Sequence, residues 1–204
     1  MYKQEPPKQQ VLGISGSPRK NGNSDVLLEH VQKGVEALRI QCEKIHLRTM
    51  DFQSCIGCER CRKDKSCTGL KDDMTKVYPK VVSSQGLVLL SPAHTYNVSA
   101  LMKAFIDRMY TFYNFGNDRP RSWSSQLAGQ NRKAVLVGVA EQTDPKDMGF
   151  TIESMRVALQ SLGYEVIDEL AVYGIFDRGK VKNDVEVLEK ATTLGKTLAR
   201  SIVA

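Results

Sequence analysis

The sequence predicts an α/β protein built on a doubly wound, five-stranded parallel sheet. Short apolar runs of strand length alternate along the chain with segments whose apolar residues recur every three or four positions. The apolar runs show little polar–apolar alternation, which is typical of parallel strands covered by helices on both faces. With 204 residues, 41% of them hydrophobic, the chain has the size and composition of one well-packed domain. We expect residues 1–10 to be a disordered tail and residues 11–204 to form that single domain.

The N-terminal part predicts a strand, a polar loop and a helix. Residues 10–15 form a short apolar run that ends in small residues, as buried parallel strands often do. Apolar positions at helical spacing follow over residues 24–38, and Asn23 or Ser24 would cap that helix. A strand, a loop and a helix in this order make the first half of a βαβ unit.

The central part predicts two further strands and two helices. Residues 43–47 form a weak strand pattern, and the pair Asp72-Asp73 would cap a helix at residues 74–83. The clearest buried strand is the apolar run at residues 86–90. An apolar stripe at residues 99–112 then predicts the next helix.

The C-terminal part begins with a long polar and aromatic loop at residues 114–131, which contains the only tryptophan, Trp123. Beyond it, apolar runs predict two strands and amphipathic patterns predict two helices, the first of which ends at Gly163. In chain order these elements cover residues 133–140, 148–162, 164–173 and 184–203.

Five strands favour the flavodoxin-like order 2-1-3-4-5 over the six-stranded dinucleotide-binding fold. In such sheets, ligands bind beyond the carboxyl ends of the strands, at the switch point between strands one and three. That rule selects two loops, residues 16–24 and residues 91–98.

The first loop has the composition of a phosphate-binding turn. The following helix would direct backbone N–H groups and the positive end of its dipole at the loop. The spacing of Gly16 and Gly22 matches neither a Walker P-loop nor a GxGxxG turn. An ordinary polar turn is the alternative interpretation. The candidate phosphate donors are Ser15, Ser17, Arg19, Asn23 and Ser24.

The second loop offers backbone N–H and C=O groups that can hydrogen-bond a flat heterocycle. Tyr96 would stack on such a ring, and Pro92 would fix the shape of the loop. His94 is either a proton donor or a solvated loop histidine.

A cysteine loop at residues 55–67 holds four of the five cysteines with the spacing C-x2-C-x2-C-x5-C. Four thiolates in one compact segment suit a [4Fe–4S] cluster, whereas structural zinc usually takes two separated pairs of ligands. Redox thiols without a metal, or an empty remnant of a site, remain the other interpretation. The candidate metal ligands are Cys55, Cys58, Cys61 and Cys67.

The remaining cysteine, Cys42, is expected to pack as an inert small hydrophobic residue. Basic side chains surround the candidate ligands and would raise the potential of an anionic cluster and favour an acidic electron donor. They are Arg60, Arg62, Lys63 and Lys65.

The formal net charge of +6 suits anionic ligands such as phosphates, or an acidic protein partner, although a merely solvated basic surface would give the same charge. Lys and Arg are scattered, with no basic run interleaved with aromatic residues, so nucleic-acid binding is not expected. No apolar run has the length of a membrane span, and the polar N-terminus lacks the apolar core of a signal peptide. We therefore expect a cytoplasmic protein.

Two segments closely resemble the NADPH-dependent FMN reductase-like flavoproteins. They are residues 13–24, which read GISGSPRKNGNS, and residues 91–108, which begin with Ser-Pro and end with LMKAFIDR. With the cysteine loop added, the chain is most similar to the iron–sulfur flavoproteins of anaerobic microbes. The resemblance extends from residue 11 to the C-terminus.

This resemblance implies FMN as a cofactor, with its phosphate in the first loop and its isoalloxazine ring along the second. The segment after the fourth strand would meet the ring from the far side, where many relatives have a glycine-rich run and this chain has AEQT at residues 140–143. The implied FMN-binding residues are Ser15, Ser17, Pro18, Arg19, Asn21, Asn23, Ser24, Pro92, Ala93, His94, Thr95, Tyr96, Asn97, Val98, Ala140 and Glu141.

Three functional hypotheses follow. The first is an oxidoreductase that passes electrons from a low-potential donor such as ferredoxin through a [4Fe–4S] cluster to FMN, and on to dioxygen, peroxide or a quinone-like acceptor. The second is an NAD(P)H-dependent FMN or quinone reductase without a working cluster. The third is a flavodoxin-like electron shuttle, which the net charge of +6 argues against, because flavodoxins are strongly acidic.

The resemblance also implies a homodimer or homotetramer, because related flavoproteins form their active sites between subunits. A group of aromatic residues would either pack under its own loop or be buried against a second subunit. These residues are Tyr110, Phe112, Tyr113, Phe115 and Trp123.

Overall fold

Parallel strands form the centre of the molecule in the computed structural model, which describes residues 6–203. The strands are β1 (Lys8–Ser15), β2 (Gln41–His46), β3 (Ser84–His94), β4 (Asn97–Val98), β5 (Tyr113–Phe115), β6 (Trp123–Ser125), β7 (Arg132–Val139) and β8 (Tyr164–Val172). The helices are α1 (Asn23–Glu36), α2 (Arg60–Asp64), α3 (Met74–Ser83), α4 (Ala100–Arg108), α5 (Thr151–Ser161) and α6 (Val185–Val203).

The main sheet has the strand order β2-β1-β3-β7-β8, and all of these neighbours are parallel. It has six strands, because the short β4 pairs antiparallel with the end of β3. Five strands were predicted, and the parallel α/β architecture is as expected. The predicted loop at residues 91–98 is in fact a hairpin, with left-handed backbone at Thr95 (φ 48°) and Tyr96 (φ 62°). Positive φ at both central residues matches the right-handed twist of the two strands.

Two hydrophobic clusters lie on opposite faces of the sheet. Alternate residues of β3 belong to different clusters, with Leu87 and Leu89 in one and Val88 and Leu90 in the other. The first cluster includes residues of α3, α4 and α5, and the second includes residues of α1 and α6. This two-sided burial explains why the strands read as continuous apolar runs. No helix in the described part of the chain is long and apolar enough to cross a membrane.

Helices α1 and α6 approach each other closely at a pair of glycines. A Cβ at Gly34 would overlap the carbonyl oxygen of Thr192, and a Cβ at Gly195 would overlap that of Val31. Both glycines are therefore needed for contact between the two helix backbones.

Replacement of Gly195 by alanine is expected to lower the free energy of unfolding by about 1–2 kcal/mol, since overpacking costs about 1–3 kcal/mol and helix propensity returns less than about 1 kcal/mol. Urea denaturation measures this change. Thr193→Ala, on the exposed face of the same helix, is the control and should not destabilise the protein. Equal stability of the two variants would contradict the close contact.

Several predicted boundaries need correction. The predicted tail overlaps β1, which begins at Lys8, while its residues 1–5 lie outside the described residues. Gly22, rather than Asn23 or Ser24, occupies the N-cap of α1. Backbone pairing adds β5 and β6 inside the predicted loop at residues 114–131.

The predicted helix at residues 99–112 divides into α4 and a 3-10 turn, and the cysteine loop contains the short helix α2. These features have few residues each, so they leave no periodic signal in the sequence.

Candidate functional site

A cleft lies where β1, β3, β7 and β8 end, at the carboxyl edge of the sheet. The residues that line it are Ser17, Pro18, Arg19, Gly22, Asn23, Ser24, Pro92, Ala93, His94, Val139, Glu141, Ile175, Phe176 and Arg178. Parallel strands bring these loops together although they are far apart in sequence, as the rule for ligand sites in such sheets predicts. Both predicted loops therefore contribute to one cleft.

The predicted cofactor residues outside this lining fall into two groups. Ser15 is fully buried beneath the first loop, and Val98 belongs to the hydrophobic core. Tyr96 is 59% exposed at the turn of the β3–β4 hairpin, where its carbonyl oxygen accepts a hydrogen bond from the N–H of Phe150. The members that do not line the cleft are Ser15, Asn21, Thr95, Tyr96, Asn97, Val98 and Ala140.

The N-terminus of α1 forms the polar end of the cleft. Gly22 at the N-cap provides no side-chain cap, so the first turn of the helix presents backbone N–H groups that an anion can accept. The buried Ser15 Oγ accepts a hydrogen bond from the N–H of Ser17 at 3.4 Å, and Ser17 Oγ accepts one from the N–H of Arg19 at 3.3 Å. These contacts hold the loop in the shape of an anion-binding turn.

A buried ion pair supports this loop from behind. Asp25 accepts two hydrogen bonds of 2.8 Å from Arg48 and one of 2.7 Å from the N–H of Asn21. His46 Nδ1 lies 3.3 Å from the same carboxylate, and burial lowers the pKa of His46. Sequence reasoning missed this role of Asp25 and Arg48, because the two residues are 23 positions apart and carry no motif.

Two serines connect the loops of the cleft. Ser99 Oγ donates to the carbonyl oxygen of Gly16 at 2.6 Å and accepts from the N–H of Met102 at 3.2 Å, which caps α4. The N–H of Ser99 donates to Ser91 Oγ at 3.0 Å. The first turn of α4 is thus fixed to both loops.

Ser99→Ala is expected to lower the free energy of unfolding by about 1–2 kcal/mol. The buried carbonyl oxygen of Gly16 would lose its donor, and the N–H of Met102 would lose the oxygen that caps α4. Thermal or urea unfolding measures the loss. Ser201→Ala is the control, since Ser201 bonds only within its own helix and should change stability by less than about 0.5 kcal/mol. Similar losses in both variants would argue against the connecting role.

A fourth loop, residues 175–178, closes the cleft and was missed by sequence reasoning. Arg19 donates to the carbonyl oxygen of Phe176 at 3.0 Å and lies 4.3 Å from the centre of its ring. Asn23 donates to the carbonyl oxygen of Asp177 at 3.0 Å and accepts from the N–H of Val181 at 3.1 Å. The sequence could have indicated this loop as part of the cleft, because it follows β8 and all strands of a parallel sheet end at the same edge.

A second cavity is formed by the cysteine loop. All four predicted ligands line it, together with Ile56, Gly57, Glu59, Gly69, Leu70, Arg108, Tyr110 and Thr111. None of Cys55, Cys58, Cys61 and Cys67 forms a disulfide bond within the described part of the chain. A Cβ at Gly69 would overlap Cys58 Sγ, so a larger residue at that position would displace the side chain of Cys58.

The guanidinium of Arg108 anchors this cavity to the rest of the protein. Its nitrogen atoms donate to the Tyr78 hydroxyl at 3.0 Å, to the Gln53 carbonyl at 2.8 Å and to both carboxylate oxygens of Asp72 at 2.5 and 3.0 Å. A further N–H points at Cys67 Sγ, 3.6 Å away. These contacts use all five N–H donors of the Arg108 side chain, and the fifth N–H is directed at a cysteine of the cavity.

Burial, the neighbouring thiols and the guanidinium of Arg108 shift the pKa values of the groups around the cysteine cavity. Burial raises the pKa of Cys61, and the nearby thiols of Cys67, Cys55 and Cys58 raise it further. Burial alone would raise the pKa of Asp72, but hydrogen bonds from Arg108 and from the N–H of Gln53 outweigh it and lower this pKa. Cys42, remote from the cavity, is buried in β2 and burial raises its pKa to about 12, as expected for an inert thiol.

Within residues 6–203, no three His, Cys, Asp or Glu side chains converge closely enough to hold a metal ion. The four thiols instead surround a cavity. A [4Fe–4S] cluster spaces its four thiolates more widely than a single tetrahedral ion does. A buried hydroxyl at the same cavity, Thr111 Oγ1, has no hydrogen-bond partner in the described chain. Thiol donors around a cavity with an unpaired buried hydroxyl fit a cluster whose sulfides accept hydrogen bonds.

Comparison with known proteins gives a family model and relatives that match most of the chain. Residues 9–142 match the family model described as NADPH-dependent FMN reductase. An iron–sulfur flavoprotein of Methanocaldococcus jannaschii is 32% identical over 202 residues, which cover 94% of this chain and 96% of that protein. An iron–sulfur flavoprotein of Archaeoglobus fulgidus is 35% identical over 198 residues, which cover 95% of this chain and 93% of that protein.

Solved structures share the fold. An NAD(P)H:quinone oxidoreductase from Methanothermobacter marburgensis has a TM-score of 0.70 at 21% identity and covers 93% of this chain and 98% of its own. A flavodoxin from the domain Archaea has a TM-score of 0.56 at 11% identity and covers 96% of this chain and 99% of its own. The flavodoxin-like architecture predicted from the sequence is therefore confirmed.

Proposed function

Because the chain belongs to the NADPH-dependent FMN reductase and iron–sulfur flavoprotein family and is a flavin-dependent oxidoreductase, we propose that it passes electrons from a low-potential donor through a [4Fe–4S] cluster to FMN and on to an acceptor. The observation that carries this proposal is the pairing of two cavities in one fold. One is the cleft at the sheet edge, with its polar end at the N-terminus of α1, and the other is lined by four cysteine side chains.

The chain's own residues would bind FMN through the cleft. The N-terminus of α1 would face the phosphate, and Ser17, Asn23 and Ser24 are buried polar side chains at that end. Pro92, at the end of β3, and Val139, at the end of β7, would provide the apolar floor for the ring. The cleft would therefore suit a planar ligand with an anionic tail.

The four cysteines of the loop would hold the cluster. Ile56 and Leu70 contribute apolar side chains to the cavity wall, and Gly69 makes room for Cys58. Cysteines that form no disulfide within the described residues, and a cluster of this kind, suit a reducing compartment, so a cytoplasmic location is part of the proposal.

Anaerobic purification followed by iron, acid-labile sulfide and FMN analysis tests the proposal. We expect about four iron atoms per chain in the wild type, their loss in Cys58→Ala, and no loss in the control Cys42→Ala, which removes a thiol outside the cavity. FMN content should be the same in all three proteins. Iron well below this value in the wild type, after reconstitution with iron and sulfide, would contradict the cluster.

A second candidate function is an NAD(P)H-dependent FMN or quinone reductase without a cluster. The match of residues 9–142 to the family model described as NADPH-dependent FMN reductase favours it. In that case, the steady-state oxidation of NADPH in air should be unaffected by Cys58→Ala. A large loss of NADPH oxidation in this variant would exclude the second candidate.

The proposed electron donor is an acidic, ferredoxin-type protein. Arg60 and Lys63 are exposed on the helix of the cysteine loop, and Arg62 lies beside them over the ring of Phe115 at 4.6 Å. Positive charge at the edge of the cavity would steer a negative donor to it. The rate of reduction by ferredoxin should then fall with added salt. This salt dependence should be weaker in a variant with Arg60 and Lys63 both replaced by Gln.

We also propose a homodimer or homotetramer. The hairpin β5–β6 and the 3-10 turn before it form an aromatic group in which Tyr110 stacks on Phe115 and Tyr113 meets Trp123 edge to face. The ring of Trp123 nevertheless remains 55% exposed. A second copy of the chain would cover this ring. Sedimentation should show that the oligomer dissociates in Trp123→Ser. It should remain intact in the control Val185→Ser, because Val185 is another exposed apolar residue.

A further inference from the structure

The 3-10 turn at Met109–Phe112 brings a buried hydroxyl to the wall of the cysteine cavity. Thr111 is 2% exposed, and its Oγ1 is the one buried side-chain nitrogen or oxygen atom of the described residues that has no hydrogen-bond partner. An unpaired buried hydroxyl destabilises a folded protein, so such atoms nearly always have a partner in the functional state. The cavity is the place for that partner.

The chemistry of the cavity decides what the partner is. Ile56, Gly57 and Leu70 line it, and an ordered water needs two or more polar contacts that such a lining does not offer. The hydroxyl of Tyr110 is already bound to Arg62 at 2.7 Å. The carboxylate of Glu59, which also lines the cavity, is paired with Arg62 at 3.1 Å. The side-chain acceptors that remain are sulfur atoms, which are the four thiolates and the sulfides of a cluster held by them.

A second donor points at the same sulfur atoms. Four N–H groups of Arg108 are used by Tyr78, Gln53 and Asp72, and these bonds fix the guanidinium so that its fifth N–H faces Cys67 Sγ. Arg108 therefore supplies a cation and a hydrogen bond at one wall of the cavity, and Thr111 supplies a neutral donor.

We propose that Thr111 donates a hydrogen bond to the cluster, and that together with the fixed N–H of Arg108 it raises the reduction potential of the cluster. Addition of one electron makes the cluster more negative, so a donor to its sulfur atoms stabilises the reduced form more than the oxidised form. This inference rests on the proposed function, because it requires a cluster bound by the four cysteines.

The near-isosteric replacement Thr111→Val tests the inference, with Thr111→Ser as the variant that restores the hydroxyl. After anaerobic reconstitution, iron and sulfide are counted in all three proteins, and midpoint potentials are measured by redox titration followed by electron paramagnetic resonance. We expect equal iron content and, in Thr111→Val, a reduced form disfavoured about tenfold, which is about 59 mV for a one-electron couple. Thr111→Ser should keep the wild-type potential and, as the wild type does, an exchangeable deuteron coupled to the reduced cluster.

The outcomes separate the inference from the proposed function. A wild type without iron or sulfide would overturn the proposed function. A wild type with a full cluster and a Thr111→Val variant of unchanged potential would overturn the inference alone. Loss of iron in Thr111→Val but not in Thr111→Ser would contradict the expected equal iron content and overturn the inferred effect on the potential, because the hydroxyl would then be needed to retain the cluster. The unfolding of the cluster-free proteins gives a further check: Thr111→Val should be no less stable than the wild type, since it removes an unpaired hydroxyl.

Discussion

Arg108→Leu is expected to lower the free energy of unfolding of the cluster-free protein by about 3–5 kcal/mol at pH 7. The side chain of Arg108 is 1% exposed and that of Asp72 is 9% exposed, so the substitution leaves a buried carboxylate without its cation. The Tyr78 hydroxyl and the Gln53 carbonyl lose a donor as well. Urea denaturation, followed by circular dichroism, measures the loss.

The pH dependence identifies the carboxylate as the cause. In the wild type the pKa of Asp72 is lowered below its ordinary value of 3.8, so its contribution to stability is present above that value and is lost as the pH falls through the folded-state pKa. In Arg108→Leu, burial without the cation would raise this pKa above 3.8, so the difference between the two proteins should begin to shrink as the pH falls through the raised pKa and continue to shrink down to the lowered pKa of the wild type. The control is Lys103→Met on the same helix, which breaks the exposed pair with Asp107 and should cost less than about 1 kcal/mol at every pH. A deficit of Arg108→Leu that does not change with pH would contradict this account.

The sequence alone predicts the elements that depend on interactions between residues close together in the chain. Buried strands such as residues 86–90 are recognisable because both faces are covered, and the cysteine spacing alone placed four thiols at one cavity. The first loop was recognisable because a parallel strand that leads into a helix N-terminus is a recurrent anion site. Each of these signals lies within about twenty residues of chain.

The parts that could not be predicted depend on contacts between distant segments. Arg108 meets residues 30 to 55 positions away, and Arg19 meets Phe176 across 157 positions, so neither contact leaves a local pattern. The turn at Thr95 and Tyr96 was missed for another reason. Neither residue type favours positive φ, and the pairing of β3 with β4 imposes it. Thr111 has no sequence signature, because only the folded chain shows that its hydroxyl lacks a partner.

Ser17→Asp is expected to weaken FMN binding by at least about 100-fold. Ser17 is 4% exposed at the polar end of the cleft, where we propose that the phosphate lies against the N-terminus of α1. Two negative charges about 4 Å apart repel by about 4 kcal/mol at an effective dielectric constant of 20, and each 1.4 kcal/mol is about a tenfold change in affinity. Titration of the apoprotein with FMN, followed by the quenching of flavin fluorescence, measures the dissociation constant.

Two comparisons make the result specific to the phosphate. Ser17→Asn has nearly the volume of the Asp variant without its charge, so it should retain FMN within about tenfold of the wild type. Riboflavin has the same ring and no phosphate, so the wild type, Ser17→Asn and Ser17→Asp should bind it alike, because no charge then approaches residue 17. Equal FMN affinity of the Asp and Asn variants would show that the phosphate lies elsewhere. An equal loss of riboflavin affinity in the Asp variant would instead show that the substitution damages the loop. The experiment would then give no evidence for an anion site at α1.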